Sequence, residues 1–235
     1  MKKLLKHIGT SEYIRVLTLR TVGNFLILTS LFLIGKTFYQ PVKEEVRYFI
    51  ESTLQKKYVV AGSKESEPVE PQKGGLAKLL NIQNVEILAP KDTDFSIVVP
   101  KMGANANIIA NVDAADEDAY LEALKHGVAH AAGTAFPGEG GHIFLFAHST
   151  DYLWNVGTYN AIFYLLYKLE KDDEVNLFYK GQRYVYKVVE KRVVDPSEVE
   201  YITRKTNKEF LTLQTCWPPG TTLKRQLIFA TRVAE

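Results

Sequence analysis

The sequence predicts a mainly β domain, either a closed barrel or a two-sheet sandwich, preceded by an N-terminal membrane-spanning helix. Three observations lead to this prediction. An uncharged apolar segment lies near the N-terminus, and a run rich in Gly, Pro, Ser and charge follows it. In the last 150 or so residues, short strand-like runs outnumber helical ones. That length is enough to bury one sizeable core.

The composition is that of a folded protein with an uneven charge distribution. Hydrophobic residues make up 46% and charged residues 24%, which indicates neither a disordered chain nor a polytopic membrane protein. Residues 1–20 carry a net charge of +4, residues 36–80 carry +2 and residues 81–235 carry −4. The main domain therefore lacks the basic excess of a nucleic-acid-binding face. Cys216 is the single cysteine, which excludes an intrachain disulfide and a multi-cysteine metal site.

The candidate membrane-spanning segment is uncharged from residue 21 to residue 35 and is bounded by Arg20 and Lys36. Fifteen helical residues span about 22 Å, which is less than the roughly 30 Å hydrocarbon core of a bilayer. Extension to Tyr39 gives about 28 Å, provided that the Lys36 side chain reaches up to the interface.

This segment has three interpretations: an uncleaved anchor, a cleaved signal peptide and a buried helix of a soluble domain. No small-x-small cleavage site follows Ile34, which favours the anchor. A single anchor usually exports the polypeptide that follows it when most of the protein lies on that side. We therefore expect residues 1–20 in the cytoplasm, residues 21–39 in the cell membrane and residues 40–235 outside the cell.

Residues 40–80 are expected to combine an extracytoplasmic helix with a flexible linker. Pro41 to about Lys57 has the pattern of an amphipathic helix, with a proline at its start and apolar residues along one face. Residues 62–75 are rich in Gly, Pro, Ser and charge without an apolar period, which is typical of a spacer. The folded domain is therefore expected over residues 81–235.

Runs of β-branched and aromatic residues predict the strands of this domain. Lys180-Gly181-Gln182 lies between two of them and predicts a hairpin turn. A short helix is predicted from Asp116 to Lys125, with Asp116 as its cap and Gly127 after its end. Thr158 to Leu169 is a candidate second helix because it is apolar all round. The predicted strands are 95–99, 142–148, 174–179, 183–190, 210–216 and 226–233.

Cys216 ends a predicted strand and precedes two prolines, so its thiol lies where a strand gives way to a loop. Catalytic groups often lie at such junctions, although a free cysteine is more commonly a small buried hydrophobic residue. A catalytic thiolate needs a base or a cation nearby. His148 ends another predicted strand, and Arg225 begins the strand after Cys216 and can share a cleft with it. Arg225 has two equally good interpretations: a cation beside the thiol, or an ordinary charged residue on the protein surface.

Other candidates for chemistry are weaker. His126 and His130 have the spacing of two metal ligands on one helix face, but Gly127 interrupts that helix and no glutamate follows His126. His142 follows two glycines and is interpreted as a turn residue. Residues 138–141 (GEGG) lack the lysine and the following helix of a phosphate loop. No metal site is therefore predicted.

The stretch Thr212-Leu213-Gln214-Thr215-Cys216 matches the TLxTC signature of sortases in full, and Arg225 shortly downstream completes it. Upstream, Pro137 to Gly141 leads into a strand that ends in a histidine, His148, as in that family. The resemblance covers roughly residues 85–233, and an anchored, exported domain agrees with it. The residues on either side of His148 depart from those frequent in the family, which leaves the subclass open.

The resemblance to sortases implies an eight-stranded β-barrel with two or more short helices and a cysteine transpeptidase activity. It implies that Cys216 attacks an LPxTG-like sorting signal between Thr and Gly, that His148 is the general acid and base, and that Arg225 stabilises the oxyanion. Thr215 is implied as a substrate-binding residue. The implied partners are exported proteins with a C-terminal sorting signal and an amine acceptor from the cell-wall precursor or another protein. This chemistry requires no cofactor and no metal.

Three alternatives remain beside a cell-wall-anchoring sortase. A pilin-polymerising sortase would use a lysine of another subunit as acceptor. An L,D-transpeptidase also uses cysteine and histidine, but the residues around Cys216 do not comply with its signature. A membrane-anchored β domain that binds a partner without catalysis would have an unreactive Cys216. By analogy with the sortases, the segment between Val194 and Phe210 is expected to select the signal.

Overall fold

The computed structural model describes residues 10–54, 56–61, 85–149 and 162–233. The chain divides into two compact units, one up to Glu44 and one from Glu45 onwards. Helix α1 (Thr10–Thr53) spans this boundary. Within the described residues, the second unit also contains helix α2 (Glu117–His126) and short 3-10 helices at Pro100–Met102, Leu166–Lys168 and Val199–Tyr201. Its strands are β1 (Lys57–Val60), β2 (Val85–Leu88), β3 (Phe95–Val99), β4 (Ala104–Val112), β5 (Val128–Ala131), β6 (His142–Phe146), β7 (Glu174–Tyr179), β8 (Gln182–Val194), β9 (Phe210–Trp217) and β10 (Lys224–Arg232).

Helix α1 contains the apolar segment that the sequence assigns to the membrane. Its stretch Ser11–Tyr39 is 29 residues long and apolar enough to cross a bilayer, which is compatible with single-pass anchoring. The helix continues through Pro41, where a separate helix is predicted to begin, and ends at Thr53 rather than near Lys57. Those predicted boundaries are wrong: a proline removes one helical hydrogen bond, and the helix continues through it without ending.

A two-stranded parallel sheet joins β1 to β2, with Lys57 opposite Val85. Val60 of β1 packs with Val98 and Phe178 of the barrel strands β3 and β7. The region expected to hold only a helix and a linker therefore also contains a strand. The predicted spacer, residues 62–75, lies outside the described residues, and the domain start at residue 81 stays a prediction.

Eight strands close into a barrel in the order β10-β8-β7-β3-β4-β5-β6-β9, which confirms the predicted barrel over the sandwich. All six predicted strands belong to it. The pairs β4–β5 and β6–β9 are parallel, and the other six neighbouring pairs within the barrel are antiparallel. Sequence patterns miss β4, which is rich in alanine and asparagine, and β5, which has only four residues. Both are strands because their neighbours pair with them, not because of their own propensity.

The hairpin predicted between β7 and β8 is confirmed. Tyr179 pairs with Gln182, so the turn consists of Lys180 and Gly181 alone. Both turn residues have a positive φ, 50° and 77°, as a two-residue type I′ turn requires. Glycine adopts this conformation without the steric cost that a side chain adds.

Helix α2 forms the crossover between the parallel strands β4 and β5, and it confirms the predicted short helix. The Asp116 carboxylate accepts a hydrogen bond from the Ala119 N–H at 3.1 Å and so caps the helix. Glu117 and Asp118 place negative charge in the first turn, where the helix dipole favours it. The helix ends at Gly127 as predicted.

The second helix predicted at residues 158–169 is not an α-helix in its described part. Residues 162–165 form a turn, and Leu166–Lys168 is a single 3-10 turn. Residues 158–161 lie outside the described residues. Phe163, Leu165 and Leu169 are buried. The segment is apolar because it packs on the core, and this burial does not depend on a helical period.

Gly127 lies where α2 passes beneath β4, and a Cβ there would be 2.2 Å from the Asn107 carbonyl oxygen. We expect Gly127→Ala to lower the free energy of unfolding by roughly 2–3 kcal/mol, because the helix end or β4 must move. In the control Gly133→Ala, the new Cβ meets nothing within 4 Å but φ is +79°. That variant should lose only about 1 kcal/mol. Urea unfolding followed by circular dichroism measures both, and equal losses would contradict the steric explanation.

Candidate active site

The candidate nucleophile lies at the end of strand β9. Leu211 and Leu213 of this strand are fully buried, and Cys216 lies on the opposite face. The strand ends at Trp217 because Pro218, which has no N–H, cannot extend the ladder. The Cys216 thiol is free and half-buried. It is therefore held by a rigid element and is partly accessible to solvent.

Strand β10 brings Arg225 beside this thiol. In the antiparallel pair of β9 and β10, Arg225 lies directly opposite Cys216, so both side chains point to the same face. The guanidinium Nη1 also donates to the carbonyl oxygens of Thr222 at 3.1 Å and Lys224 at 3.3 Å. These bonds hold it at the end of the loop that connects the two strands. A permanent positive charge thus lies beside the sulfur.

Strand β6 approaches β9 from the other side. The two strands are parallel, and each residue of β6 lies opposite the residue 68 positions later, up to the pair Phe146 and Gln214. The Ala147 N–H donates to the Gln214 carbonyl oxygen at 3.1 Å and extends this pairing. The ladder ends there. Counted on in the same register, the residue that corresponds to Cys216 is His148, which is half-buried.

Three adjacent strands therefore converge with Cys216 on the central one. Arg225 follows it in sequence after a single loop, which is why sequence reasoning could place the two together. His148 reaches it only through the parallel pairing of β6 with β9. No local pattern encodes that pairing. The catalytic roles of the three residues stay predictions.

Thr215 faces away from Cys216 and is buried. Its hydroxyl donates to the Ala147 carbonyl oxygen at 2.9 Å. This bond ties the end of β9 to the residue before His148, so Thr215 holds the two strands at the spacing of the site. The predicted contact of Thr215 with substrate stays a prediction.

Burial and charge act in opposite directions on the thiol. Burial raises the pKa of Cys216 above its ordinary value, and the Arg225 guanidinium lowers it by less. The thiolate is therefore a minor species at neutral pH. It would be rarer still without the arginine.

The other candidate histidines lie elsewhere. His126 ends α2 at an exposed position beside Glu122, whereas His130 lies buried on β5 against the rings of Phe95 and Phe136. The two do not share a helix face. Within the described ranges, no group of three or more His, Cys, Asp or Glu side chains is placed to hold a metal ion.

His142 is a buried residue of β6, so its interpretation as a turn residue is wrong. Its Nε2 shares a hydrogen bond with the Thr212 hydroxyl on β9 at 2.8 Å. The strand begins directly after the two glycines, because pairing with β9 starts at this residue. Burial, and less strongly the nearby Arg204 guanidinium, lower the pKa of His142 to about 4.

The segment between β8 and β9, residues 195–209, begins next to the candidate site. We call it the β8–β9 loop. The last residue of β8, Val194, lies opposite Arg225 in the sheet. Because Arg225 in turn lies opposite Cys216, the loop leaves the barrel two strands from the thiol.

The β8–β9 loop then packs on the face of the sheet that carries the site. Its Tyr201 is buried against Phe229 of β10, with ring centroids 5.8 Å apart. The Arg204 guanidinium lies 5.2 Å from the centre of the same ring. Phe229 is four residues from Arg225 on one strand, so both point to the same face. The loop thus covers part of the face to which Arg225 and Cys216 point, and composition alone did not reveal these two anchoring residues.

Residues 97–233 match the family model of the Sortase domain, which is more than half of the chain. The chain therefore belongs to the sortase family. Sortase D of Bacillus subtilis (strain 168) is 30% identical over 138 residues, which are 57% of this chain. The match spans 61% of the length of that relative. Family membership supports a transpeptidase role.

Solved structures agree on the fold. Sortase C-1 from Actinomyces oris has a TM-score of 0.51 and 30% identity, over 62% of this chain and 76% of that chain. Sortase C2 of Group B Streptococcus Pilus Island 1 has a TM-score of 0.50 and 25% identity, over 60% and 73% of the respective chains. Relatives of both the C and D types thus leave the subclass open.

The opposing effects of burial and Arg225 predict how alkylation of Cys216 depends on pH. We expect the rate with iodoacetamide to rise with pH to a midpoint above that of an ordinary cysteine. Arg225→Gln should move the midpoint further up, because it removes the charge that lowers the thiol pKa. Lys187→Gln, an exposed cation of β8, is the control for net charge. A downward shift in Arg225→Gln, or an equal shift in both variants, would count against this account.

The buried His142 predicts a loss of stability in mild acid. The folded protein keeps it neutral to about pH 4, whereas an unfolded histidine binds a proton below about 6.5. As pH falls through this window the unfolded state binds more protons, and about 3 kcal/mol of stability is lost. His142→Gln should flatten this part of the pH profile of urea unfolding, and His126→Gln should not. An unchanged slope in His142→Gln would refute the assignment.

Proposed function

We propose that this chain is a cysteine transpeptidase that cleaves an LPxTG-like sorting signal between Thr and Gly and joins the upstream protein to an amine of the cell wall. One observation carries the proposal. Arg225 lies opposite Cys216 in the sheet, and His148 is the residue that corresponds to Cys216 when the register of β6 with β9 is counted on. In our proposal these three side chains supply the fixed cation, the proton-transfer group and the nucleophile.

In the first step the Cys216 thiol gives its proton to His148, and the sulfur attacks the carbonyl carbon of the Thr–Gly bond. The carbonyl oxygen becomes an oxyanion, which the Arg225 guanidinium stabilises. When the C–N bond breaks, His148 gives a proton to the departing glycine amine. The upstream peptide is then held on Cys216 as a thioester.

In the second step an amine acceptor attacks the thioester carbonyl. His148, now neutral, takes a proton from the amine, and the thiolate of Cys216 leaves as the new amide bond forms. The β8–β9 loop covers part of the face to which Cys216 points and is the element we assign to selection of the signal. Tyr201 and Arg204 hold it on Phe229.

The location follows from the apolar helix. We assign residues 21–39 as a single-pass anchor, with residues 1–20 in the cytoplasm and the barrel outside the cell membrane. The 29-residue apolar stretch of α1 supports this arrangement. An exported barrel would meet both exported substrates and cell-wall precursors.

A second candidate is a pilin-polymerising sortase, in which the acceptor is a lysine of another protein. The likeness to two C-type sortases, one of them from a pilus island, favours it. The two candidates share the thioester and differ only in the amine. The acceptor therefore separates them.

The test uses the full-length protein in detergent micelles with an LPxTG-type peptide and two amines, one based on glycine and one on a lysine side chain. Intact-mass spectrometry should show a thioester adduct and a peptide joined to an amine. Cys216→Ala should abolish both, and Arg225→Gln should slow transfer by roughly 100-fold or more, as loss of an oxyanion donor does. Preference for the lysine amine would favour polymerisation over anchoring.

Two other outcomes are informative. A Cys216 that alkylates readily but forms no adduct would mean that the peptide sequence is wrong. If Cys216 reacts neither with iodoacetamide nor with the LPxTG-type peptide at any pH, the proposed transpeptidase activity is refuted. The protein would then be a membrane-anchored binding domain.

A further inference from the structure

The end of strand β9 is held by fewer ladder bonds than its middle. From Phe210 to Gln214 the strand pairs with both β6 and β10, whereas from Thr215 to Trp217 the ladder continues with β10 alone. Cys216 lies in this one-sided part. Its position therefore depends on additional contacts of the residues beside it.

One such contact is made by Trp217, the residue directly after the thiol. Its ring packs on the ring of Tyr167, with centroids 5.4 Å apart and planes tilted by 54°. Because side chains alternate along a strand, Trp217 faces away from the cleft that holds Cys216. The stack thus restrains the strand end without occupying the substrate side.

Tyr167 is itself fixed from several directions. It belongs to the 3-10 helix Leu166–Lys168, whose Leu166 is fully buried in the core. Its carbonyl oxygen accepts a hydrogen bond from Lys191 Nζ of β8 at 2.8 Å. Its hydroxyl donates to the carboxylate of Glu45 in α1, and Lys168 Nζ lies 3.3 Å from the same carboxylate.

We propose that Tyr167 is a positioning residue for Cys216, fixed by Glu45, so that the last turns of α1 belong to the catalytic unit. The path of contacts runs from the Glu45 carboxylate through the Tyr167 ring to Trp217 and its neighbour Cys216. The expected effect of Tyr167 on turnover rests on the proposed function. The expected effect of Tyr167 on the pKa of the Cys216 thiol does not depend on that function.

The full-length protein in detergent micelles provides the test, in a Trp154→Phe background that leaves Trp217 as the single tryptophan. Tyr167→Leu removes the ring that packs on Trp217. Tyr167→Phe and Glu45→Ala keep an aromatic ring at position 167 and remove its hydrogen bond to α1. The matched control is Tyr58→Phe. It also removes a phenol-to-glutamate bond to α1, from Tyr58 to Glu51 at 2.6 Å, but has no part in the Trp217 stack.

Three readouts are measured: Trp217 fluorescence, the pH midpoint of Cys216 alkylation, and kcat and KM of transfer. In Tyr167→Leu, Trp217 emission should shift to the red, and kcat should fall roughly two- to tenfold with KM little changed. The alkylation midpoint should move down, because a looser strand end lets water reach the thiol. Tyr167→Phe and Glu45→Ala should change in the same direction by less.

Tyr58→Phe should leave the emission and the midpoint unchanged. Equal changes in Tyr58→Phe and the Tyr167 variants would overturn the proposal, because general loosening of α1 would explain them. A red shift without any change in the midpoint or in kcat would overturn it as well. If the parent protein transfers no peptide, the proposed function fails. Fluorescence and alkylation then still decide whether Tyr167 positions the thiol.

Discussion

The parallel pairing of β6 with β9 is the interaction on which the site depends. It joins strands whose partners are 68 residues apart, so its formation must offset the entropy of closing a long loop. Ile143 and Leu145 of β6 are fully buried, as are Leu211 and Leu213 of β9. A slip by one residue would turn these side chains to the other face and His148 away from the thiol. The hydrophobic pattern of the inner face therefore specifies the alignment of polar groups on the outer one.

Two opposing effects of the environment set the pKa of the Cys216 thiol. Burial disfavours the thiolate, and Arg225 partly compensates with a charge that cannot be lost by deprotonation. The same guanidinium that moderates the thiol pKa is the group that we propose to stabilise the oxyanion. Tyr201 and Arg204 hold the β8–β9 loop on Phe229, which points to the same face as Arg225.

Support for the site extends to elements outside the barrel. Glu45 in α1 accepts a hydrogen bond from the Tyr167 hydroxyl, and the Tyr167 ring packs on Trp217, the residue after Cys216. Strand β1 pairs with β2 and packs against β3 and β7. Glu45 and the residues of β1 thus contact later parts of the chain, which agrees with the compact unit that begins at Glu45.

The sequence by itself determined the apolar helix, six of the eight barrel strands, the Lys180-Gly181 turn and the cap of α2. It also identified Cys216 and its neighbour Arg225. Each of these depends on residues close together in the sequence, where period, propensity and turn chemistry act directly.

Only the tertiary structure decided the remainder. Strands β4 and β5 form because neighbours pair with residues of low strand propensity. His142 is a core residue because pairing with β9 begins there. The pairing of β6 with β9 brings the end of β6, just before His148, beside the end of β9, and Tyr167 packs on Trp217. Both contacts join segments distant in sequence. Such contacts are set by closure of the barrel as a whole, because the free energy of pairing depends on both partners and no single segment encodes it.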